Sequence, residues 1–323
     1  MRDPAFWQQD GLVPKILSPL SLLWQAGACI RNKSTTARHP GCPVFCVGNF
    51  TVGGAGKTPT AVALYDILTA LGRNPHFVSR GYGGSVAGPH RVDPVHDTAS
   101  GVGDEPLLLA QHGPAWVSRE RFLGAETARN AGADAIILDD GLQNPSVIKD
   151  CSFAVIDSRY GIGNGRVMPA GPMRETLLSG LEKVRAIILI GDETPAFITN
   201  LPASVPVLRA RIEPINGSEF AGKKVLAFAG IGRPQKFYDT LKSIGAGIVA
   251  TNDFDDHHVF TTDELKTLRM NAARLDATLV TTQKDLMRLP LESRIGINSL
   301  DIRLVFETPD QLAQIVKTVL ADG

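Results

Sequence analysis

Cysteine, aromatic residues and unbalanced charge are all scarce in this chain of 323 residues. Its four cysteines (Cys29, Cys42, Cys46 and Cys151) show no C-x-x-C spacing, which excludes a disulfide framework and a zinc ribbon and points to a reducing compartment. Cys42 and Cys46 lie beside and within an apolar run and are expected as buried thiols. With 33 basic against 33 acidic residues, no overall positive field gathers polyanions, so nucleic acid is not an expected partner. Internal repeats and low-complexity segments are absent. So is any uninterrupted run of about 20 apolar residues, the length that spans a bilayer. The mostly apolar window 12–30 is broken by Pro14, Lys15 and Pro19, and it lacks the basic leader and small-residue cleavage site of a secretory signal. It should hold a short helix after Pro19, with Leu20, Leu23 and Trp24 roughly on one side and Arg31 and Lys33 flanking it. Two readings of that helix stay open: it packs on the protein's own core, or it lies in a membrane interface with the tryptophan at headgroup depth.

What is present is the composition of a folded globular protein, 43% hydrophobic and 20% charged, at a length that suits two α/β units better than one. From Pro43 onward, short β-branched runs alternate with amphipathic helical windows, the pattern of a layered α/β fold. The runs at 76–79, 115–118, 133–138, 153–156, 186–190 and 207–212 are mostly apolar rather than alternating, so helices should cover both faces of a mostly parallel sheet. The stretch 157–175, rich in glycine and proline, reads as a surface loop. The pattern then restarts with strands at 224–229, 246–250 and 278–282, a helix at 234–244, and a capping box at Thr261 and Glu264. A last helix has Thr308 as N-cap, Pro309 at N1, and Leu312, Ile315, Val316 and Val319 on one face. The expected division is an apolar segment (1–35), a larger domain (36–215) and a smaller α/β domain (216–323).

Val44-Phe45-Cys46-Val47 reads as a buried strand, GGAGKT follows at 53–58, and a helix begins at once, with Leu64, Ile67, Leu68 and Leu71 on one face and Gly72 ending it. Phosphate binding requires that order. Glycines let consecutive backbone N–H groups turn toward the phosphates, the helix N-terminus adds its positive end, Lys57 reaches the terminal phosphates, and the Thr58 hydroxyl suits Mg²⁺. Thr51, Val52, Gly53, Gly54, Ala55, Gly56, Lys57 and Thr58 therefore form the expected ATP cradle of a P-loop NTPase-like fold, although Thr51 stands where the strict pattern has its first glycine. A second apolar run, 135–138, delivers Asp139 and Asp140 at the sheet edge where ligands sit. Asp139 is the expected Mg²⁺ partner across from Thr58, with Asp140 and Gln143 beside it. The competing reading is a pair of turn acids capping the loop at Gly141. SRGYGG at 79–84, GDEP at 103–106 and DDHH at 255–258 also fall in loops; each alone fits a dipole complement or solvated side chains better than a site.

Taken in order, PLSLLW, VGNFTVGGAGKTP, SRGYGG, GDEP, LDDGLQ, NGRVMPAGPMRE, FAGIGRPQKF, DDHHVF and TTQKD resemble the tetraacyldisaccharide 4'-kinase family of lipid A biosynthesis over most of the chain. That family's loop typically has Thr or Ser where Thr51 stands. The resemblance implies transfer of the γ-phosphate of ATP, with Mg²⁺, to the 4' hydroxyl of a tetraacyldisaccharide 1-phosphate at the cytoplasmic face of the inner membrane. It implies Asp104 as catalytic base, helped by a histidine of the C-terminal lobe that falls on His257, in a doublet with His258, and alongside Lys57 and Asp140. The acid would take the hydroxyl proton while the histidine orients it, and lobe closure would assemble the pair. It further implies Thr58, Asp139, Glu105 and Gln143 around Mg²⁺, and Arg80, Tyr82, Arg119, Arg174 and Glu175 around the substrate. TTQKD departs from the expected T-E-K-D, which leaves the roles of Lys284 and Asp285 open. A multiply acylated substrate stays in the bilayer, held by about 0.8 kcal/mol per buried methylene, so the resemblance favours the interfacial reading of residues 12–30. A P-loop enzyme with a soluble substrate, of the dethiobiotin-synthetase kind, is the alternative and would have no use for that segment. A GTP-dependent switch would need N-K-x-D, and TQKD at 282–285 has its lysine one position late.

Overall fold

A computed structural model describes residues 4–322; residues 1–3 and 323, which the expected terminal segments include, lie outside the described residues. The strands are β1 (Val44–Gly48), β2 (Pro75–Ser79), β3 (His90–Arg91), β4 (Ala115–Val117), β5 (Ala135–Asp139), β6 (Cys151–Asp157) and β7 (Ala186–Ile190). They continue with β8 (Val207–Pro214), β9 (Lys224–Ala229), β10 (Gly247–Asp253), β11 (Thr278–Thr282), β12 (Asn298–Leu300) and β13 (Ile302–Phe306). The helices are α1 (Leu12–Ser34), α2 (Lys57–Ala70), α3 (Ala99–Val102), α4 (Asp104–Ala110) and α5 (Arg121–Asn130), then α6 (Leu177–Leu181), α7 (Pro234–Ser243), α8 (Thr262–Arg274), α9 (Gln283–Arg288) and α10 (Pro309–Asp322).

Nine strands form one sheet in the order β13-β8-β7-β6-β1-β5-β2-β4-β3, parallel except at its edges, where β3 runs against β4 and β13 against β8. Strands β1, β2, β5, β6 and β7 are buried along their whole length, as apolar runs covered on both faces must be. Phe45 and Val47 join one core layer with Leu64 and Leu68 of α2 and Leu107 of α4; Val44 and Cys46 join the other with Phe122 and Ala125 of α5. The smaller sheet, β10-β9-β11-β12, is parallel throughout. This is the expected α/β class, a mostly parallel sheet flanked by helices with a second smaller lobe.

The smaller sheet ends at Leu300, and β13 and α10 return to the large lobe instead of completing residues 216–323 as one unit. Leu304 and Phe306 are buried beside β8, and Leu312 and Val316 of α10 reach the same core layer as α2. The expected short helix after Pro19 is instead the 23-residue α1, which begins at Leu12. Pro14 sits in its first turn, where no N–H partner is needed, and Pro19 removes one interior bond without ending the helix. Only Pro14 and Ser21 of α1 are buried, while Leu12, Ile16, Leu22, Leu23 and Ile30 are each at least 65% exposed, so the helix meets the protein along one narrow face and leaves its large apolar side chains outside the core. Among the described residues no helix is long and apolar enough to cross a membrane. The loop 157–175 is irregular as expected but not superficial: Val167, Ala170 and Met173 are buried, the first and last in the core layer of α5.

Candidate functional site

The cradle is held from both ends. Thr51 bridges Met173, the Val52 N–H donates to the Pro172 carbonyl at 2.9 Å, and the Arg174 N–H donates to Phe50 O at 2.8 Å. The backbone N–H of Val52 is thus spent on the loop rather than open to phosphate. Gly56 takes a left-handed φ of 97° to start α2, and a Cβ there would lie 2.6 Å from Ile190 Cδ1, so only glycine fits. Lys57 opens α2 with its side chain 9% exposed, and Thr58 follows, half-buried in the same first turn.

Strand β5 lies directly beside β1, with Asp139 opposite Val47, which brings the second acidic motif to the cradle. Asp139 is 1% exposed, and neither carboxylate oxygen has a hydrogen-bond partner. Burial first, and then the neighbouring Glu105 charge, push it up to about 7. A buried carboxylate with both oxygens bare suits a hard cation, and this is the feature of the site that fits Mg²⁺. No group of three or more His, Cys, Asp or Glu among the described residues could hold a metal by itself, so such an ion would complete its shell from phosphate oxygens and water.

Asp140 has a left-handed φ of 53° and accepts both Arg174 Nη1 (2.7 Å) and Nη2 (3.1 Å), with Lys57 Nζ 3.8 Å away. Burial would raise it, but the charges of Lys57 and Arg174 outweigh that and bring it down to about 2. Gln143 is fully engaged: Nε2 donates to Asn49 O and Glu175 Oε1, and Oε1 accepts from Arg174. It therefore links the cradle to the loop. Glu175 also takes Ser179 and Lys183, so Arg174 and Glu175 brace the cradle from within.

Asp104 opens α4 behind Gly103, whose φ of 92° and close approach to the Tyr82 carbonyl (2.8 Å to an added Cβ) lock the GDEP and SRGYGG loops together. The carboxylate is 3% exposed and is met from the smaller lobe. His257 Nδ1 lies 3.1 Å from Asp104 Oδ2, and Arg288 Nε donates to the same oxygen at 2.7 Å. Lys284 Nζ is 3.0 Å from Glu105 Oε1 and 4.0 Å from Asp104 Oδ2. Burial pushes Asp104 up, yet the His257 hydrogen bond and the Lys284 and Arg288 charges hold it well below the usual carboxylate range. Glu105 is lowered as well, against its own burial, by Lys284 and then Lys57. The doublet divides its work: His258 stacks on Phe254 and lies 3.0 Å from Glu264 of the capping box, away from Asp104. Tyr82, 65% exposed, meets the His257 ring edge-on at 5.3 Å, whereas Arg80 and Arg119 are exposed.

Sequence reasoning missed two arginines and the way α1 is tied to the rest of the protein. Arg121, 4% exposed, donates to Ser118 O at 2.6 Å, and burial, followed by repulsion from Arg80, lowers it to about 10. Arg288 lies one turn beyond Lys284, in a helix too short to show a period. Trp24 Nε1 donates to Arg174 O at 3.1 Å and Ser21 Oγ to Val167 O at 2.6 Å, tying α1 to the loop that braces the cradle. Nothing local in the sequence signals these contacts.

The family described as tetraacyldisaccharide-1-P 4'-kinase matches residues 13–321. A tetraacyldisaccharide 4'-kinase of Rhodospirillum centenum is 45% identical over 328 residues, covering 99% of this chain and 97% of the relative. One from Methylobacterium radiotolerans is 47% identical and covers 99% of each. Among solved structures, LpxK from Aquifex aeolicus in complex with ATP matches with a TM-score of 0.76 at 24% identity, over 96% of this chain and 100% of the other.

Proposed function

The chain belongs to the tetraacyldisaccharide-1-P 4'-kinase family, and on that premise we propose how its own residues carry out transfer of the γ-phosphate of ATP to the 4' hydroxyl of a tetraacyldisaccharide 1-phosphate. The backbone N–H groups of 53–58 and the start of α2 cradle the β and γ phosphates, and Lys57 neutralises the group in transit. Asp140, clamped by Arg174, keeps the Lys57 ammonium in place. Asp139 and Thr58 would hold Mg²⁺, which would supply charge neutralisation for the leaving phosphates. Asp104 Oδ1 accepts the hydrogen bond of the 4' hydroxyl and aims its lone pair at γ-phosphorus. A carboxylate held so far below its usual range is a weak base. That suffices in a loose transition state, where the bond to the attacking oxygen forms late and the hydroxyl becomes acidic only as the bond to ADP breaks. Tyr82, with Arg80 and Arg119, receives the sugar.

Helix α1 brings this site to a substrate that stays in the bilayer. Its exposed Leu12, Ile16, Leu20, Leu22, Leu23 and Ile30 enter the headgroup boundary, Trp24 anchors there, and Lys15, Arg31 and Lys33 meet anionic headgroups. The protein is accordingly peripheral or monotopic at the cytoplasmic face of the inner membrane.

The observation that carries the mechanism is the contact between His257 and buried Asp104 across the two lobes. Transfer of labelled γ-phosphate to tetraacyldisaccharide 1-phosphate in mixed micelles, set against soluble sugar acceptors, tests the function. Label should appear on the lipid alone; equal labelling of a soluble sugar would favour the soluble-substrate reading.

A further inference from the structure

Asp104 and His257 belong to different lobes, so their 3.1 Å contact requires that both be fixed relative to a common point. Arg288 and the Gly230 carbonyl supply one. The Arg288 side chain is 5% exposed; Nε donates to Asp104 Oδ2 at 2.7 Å, and Nη2 lies 2.5 Å from that oxygen but out of line for a hydrogen bond. On its other edge Nη1 donates to Asp285 Oδ1 at 2.6 Å and to Gly230 O at 2.5 Å. The same Gly230 carbonyl accepts the backbone N–H of His257 at 3.1 Å, where the chain turns left-handed (φ 59°) to present the imidazole. Asp285 is fully buried and fixed in turn by the Thr282 hydroxyl at 2.8 Å, within the cap of α9. Oδ2 of Asp104 is thereby occupied by Arg288 and His257. Oδ1, which accepts the Glu105 N–H at 2.9 Å, is left to face an acceptor hydroxyl.

We propose that Arg288 is a positioning residue for phosphoryl transfer, setting the Asp104 carboxylate and the His257 imidazole in one geometry around the shared Gly230 carbonyl. This rests on the Asp104–His257 reading above. The role needs a planar fork and not merely a charge, because an ammonium cannot meet the Asp104, Asp285 and Gly230 oxygens at fixed angles together. Nor is Arg288 the lobes' sole attachment, since Lys284–Glu105 and Arg233–Asp157 (3.2 Å) also bridge them. Its loss should therefore disturb the pair without separating the lobes.

The test is steady-state transfer to tetraacyldisaccharide 1-phosphate in mixed micelles by Arg288→Lys and Asp285→Asn, each in the wild-type and the Asp104→Ala background, with thermal unfolding followed in parallel. Arg288→Lys should lower kcat at least about tenfold while KM for ATP moves by less than about twofold, and it should change the residual rate of Asp104→Ala by less than about twofold. Wild-type kcat in Arg288→Lys, or an equal loss in both backgrounds, overturns the proposal and makes Arg288 a lobe fastener only. If Arg288→Lys does not fold, Asp285→Asn keeps the guanidinium but loosens its anchor; the same masked loss supports the proposal, and an unchanged kcat overturns it. A fully active Asp104→Ala enzyme overturns the pair itself, an outcome separable from a failure of Arg288 alone.

Discussion

Asp139→Asn should make the ligand-free protein more stable at pH 8 while abolishing its activity. Asp139 is buried with both oxygens bare, and its rise from an ordinary 3.8 to about 7 marks the cost of holding charge there without a cation. Because the folded-state value lies above the unfolded one, this group binds its proton more tightly in the native state. Its contribution to stability therefore falls as pH rises from about 4 to about 7 and is constant above that. The difference corresponds to on the order of 4 kcal/mol. An asparagine removes the charge but leaves a buried amide with unmatched donors, which costs about 1–3 kcal/mol. The net gain of about 1–3 kcal/mol at pH 8 should appear as a Tm higher by about 1.5–4.5 °C in a scan without nucleotide or metal. At pH 4.5, where wild-type Asp139 is itself neutral in the folded state, the gain should be lost and the variant should be no more stable than wild type, because the cost of its buried amide remains. MgATP should then raise Tm in wild type and much less in the variant. A Tm at pH 8 equal to or below that of wild type would refute the view that Asp139 carries a buried charge that its protein neighbours do not compensate.

Leu22→Ser with Leu23→Ser removes two side chains that are 67% and 69% exposed. About two-thirds of the usual 1.5–3 kcal/mol each is at stake, so partition onto phosphatidylethanolamine–phosphatidylglycerol vesicles should weaken by about 30- to 700-fold with Tm unchanged; equal flotation of the two proteins contradicts the interfacial role of α1. Lys57→Ala should abolish transfer while the fold, read by circular dichroism, persists; normal turnover would remove the basis of the cradle assignment. His258→Ala, which touches Glu264 and Phe254 but not Asp104, should cost about 1 kcal/mol of stability in chemical denaturation and leave kcat within about twofold of wild type; a dead enzyme would move the catalytic role to the second histidine.

The cradle and its acids were legible in the sequence because each is specified locally. Strand, glycines, Lys57 and the α2 period follow one another within 30 residues, and Asp139 ends its own apolar run. Pairing between lobes was legible only through the resemblance, since Asp104 and His257 carry no local mark of each other. Arg121, Arg288 and the contact of Trp24 with Arg174 escaped because burial and tertiary packing, not local pattern, decide them. The return of β13 and α10 to the large sheet escaped for the same reason: the amphipathic face of residues 312–319 shows that the helix is buried, not which sheet buries it. Pro19 misled in the other direction, because a helix that is exposed along most of its length can lose one hydrogen bond without meeting anything that forces a break.

The central claim is that Asp104 and His257 act as one unit assembled between the lobes. The direct measurement is kcat for transfer from ATP to tetraacyldisaccharide 1-phosphate by Asp104→Ala, His257→Ala and the double variant, under saturating ATP. Each single substitution should lower kcat by at least about a hundredfold, and the double should be little slower than the slower single, since groups that act together do not add. Losses that multiply in the double variant, or a His257→Ala enzyme of wild-type rate, would contradict it.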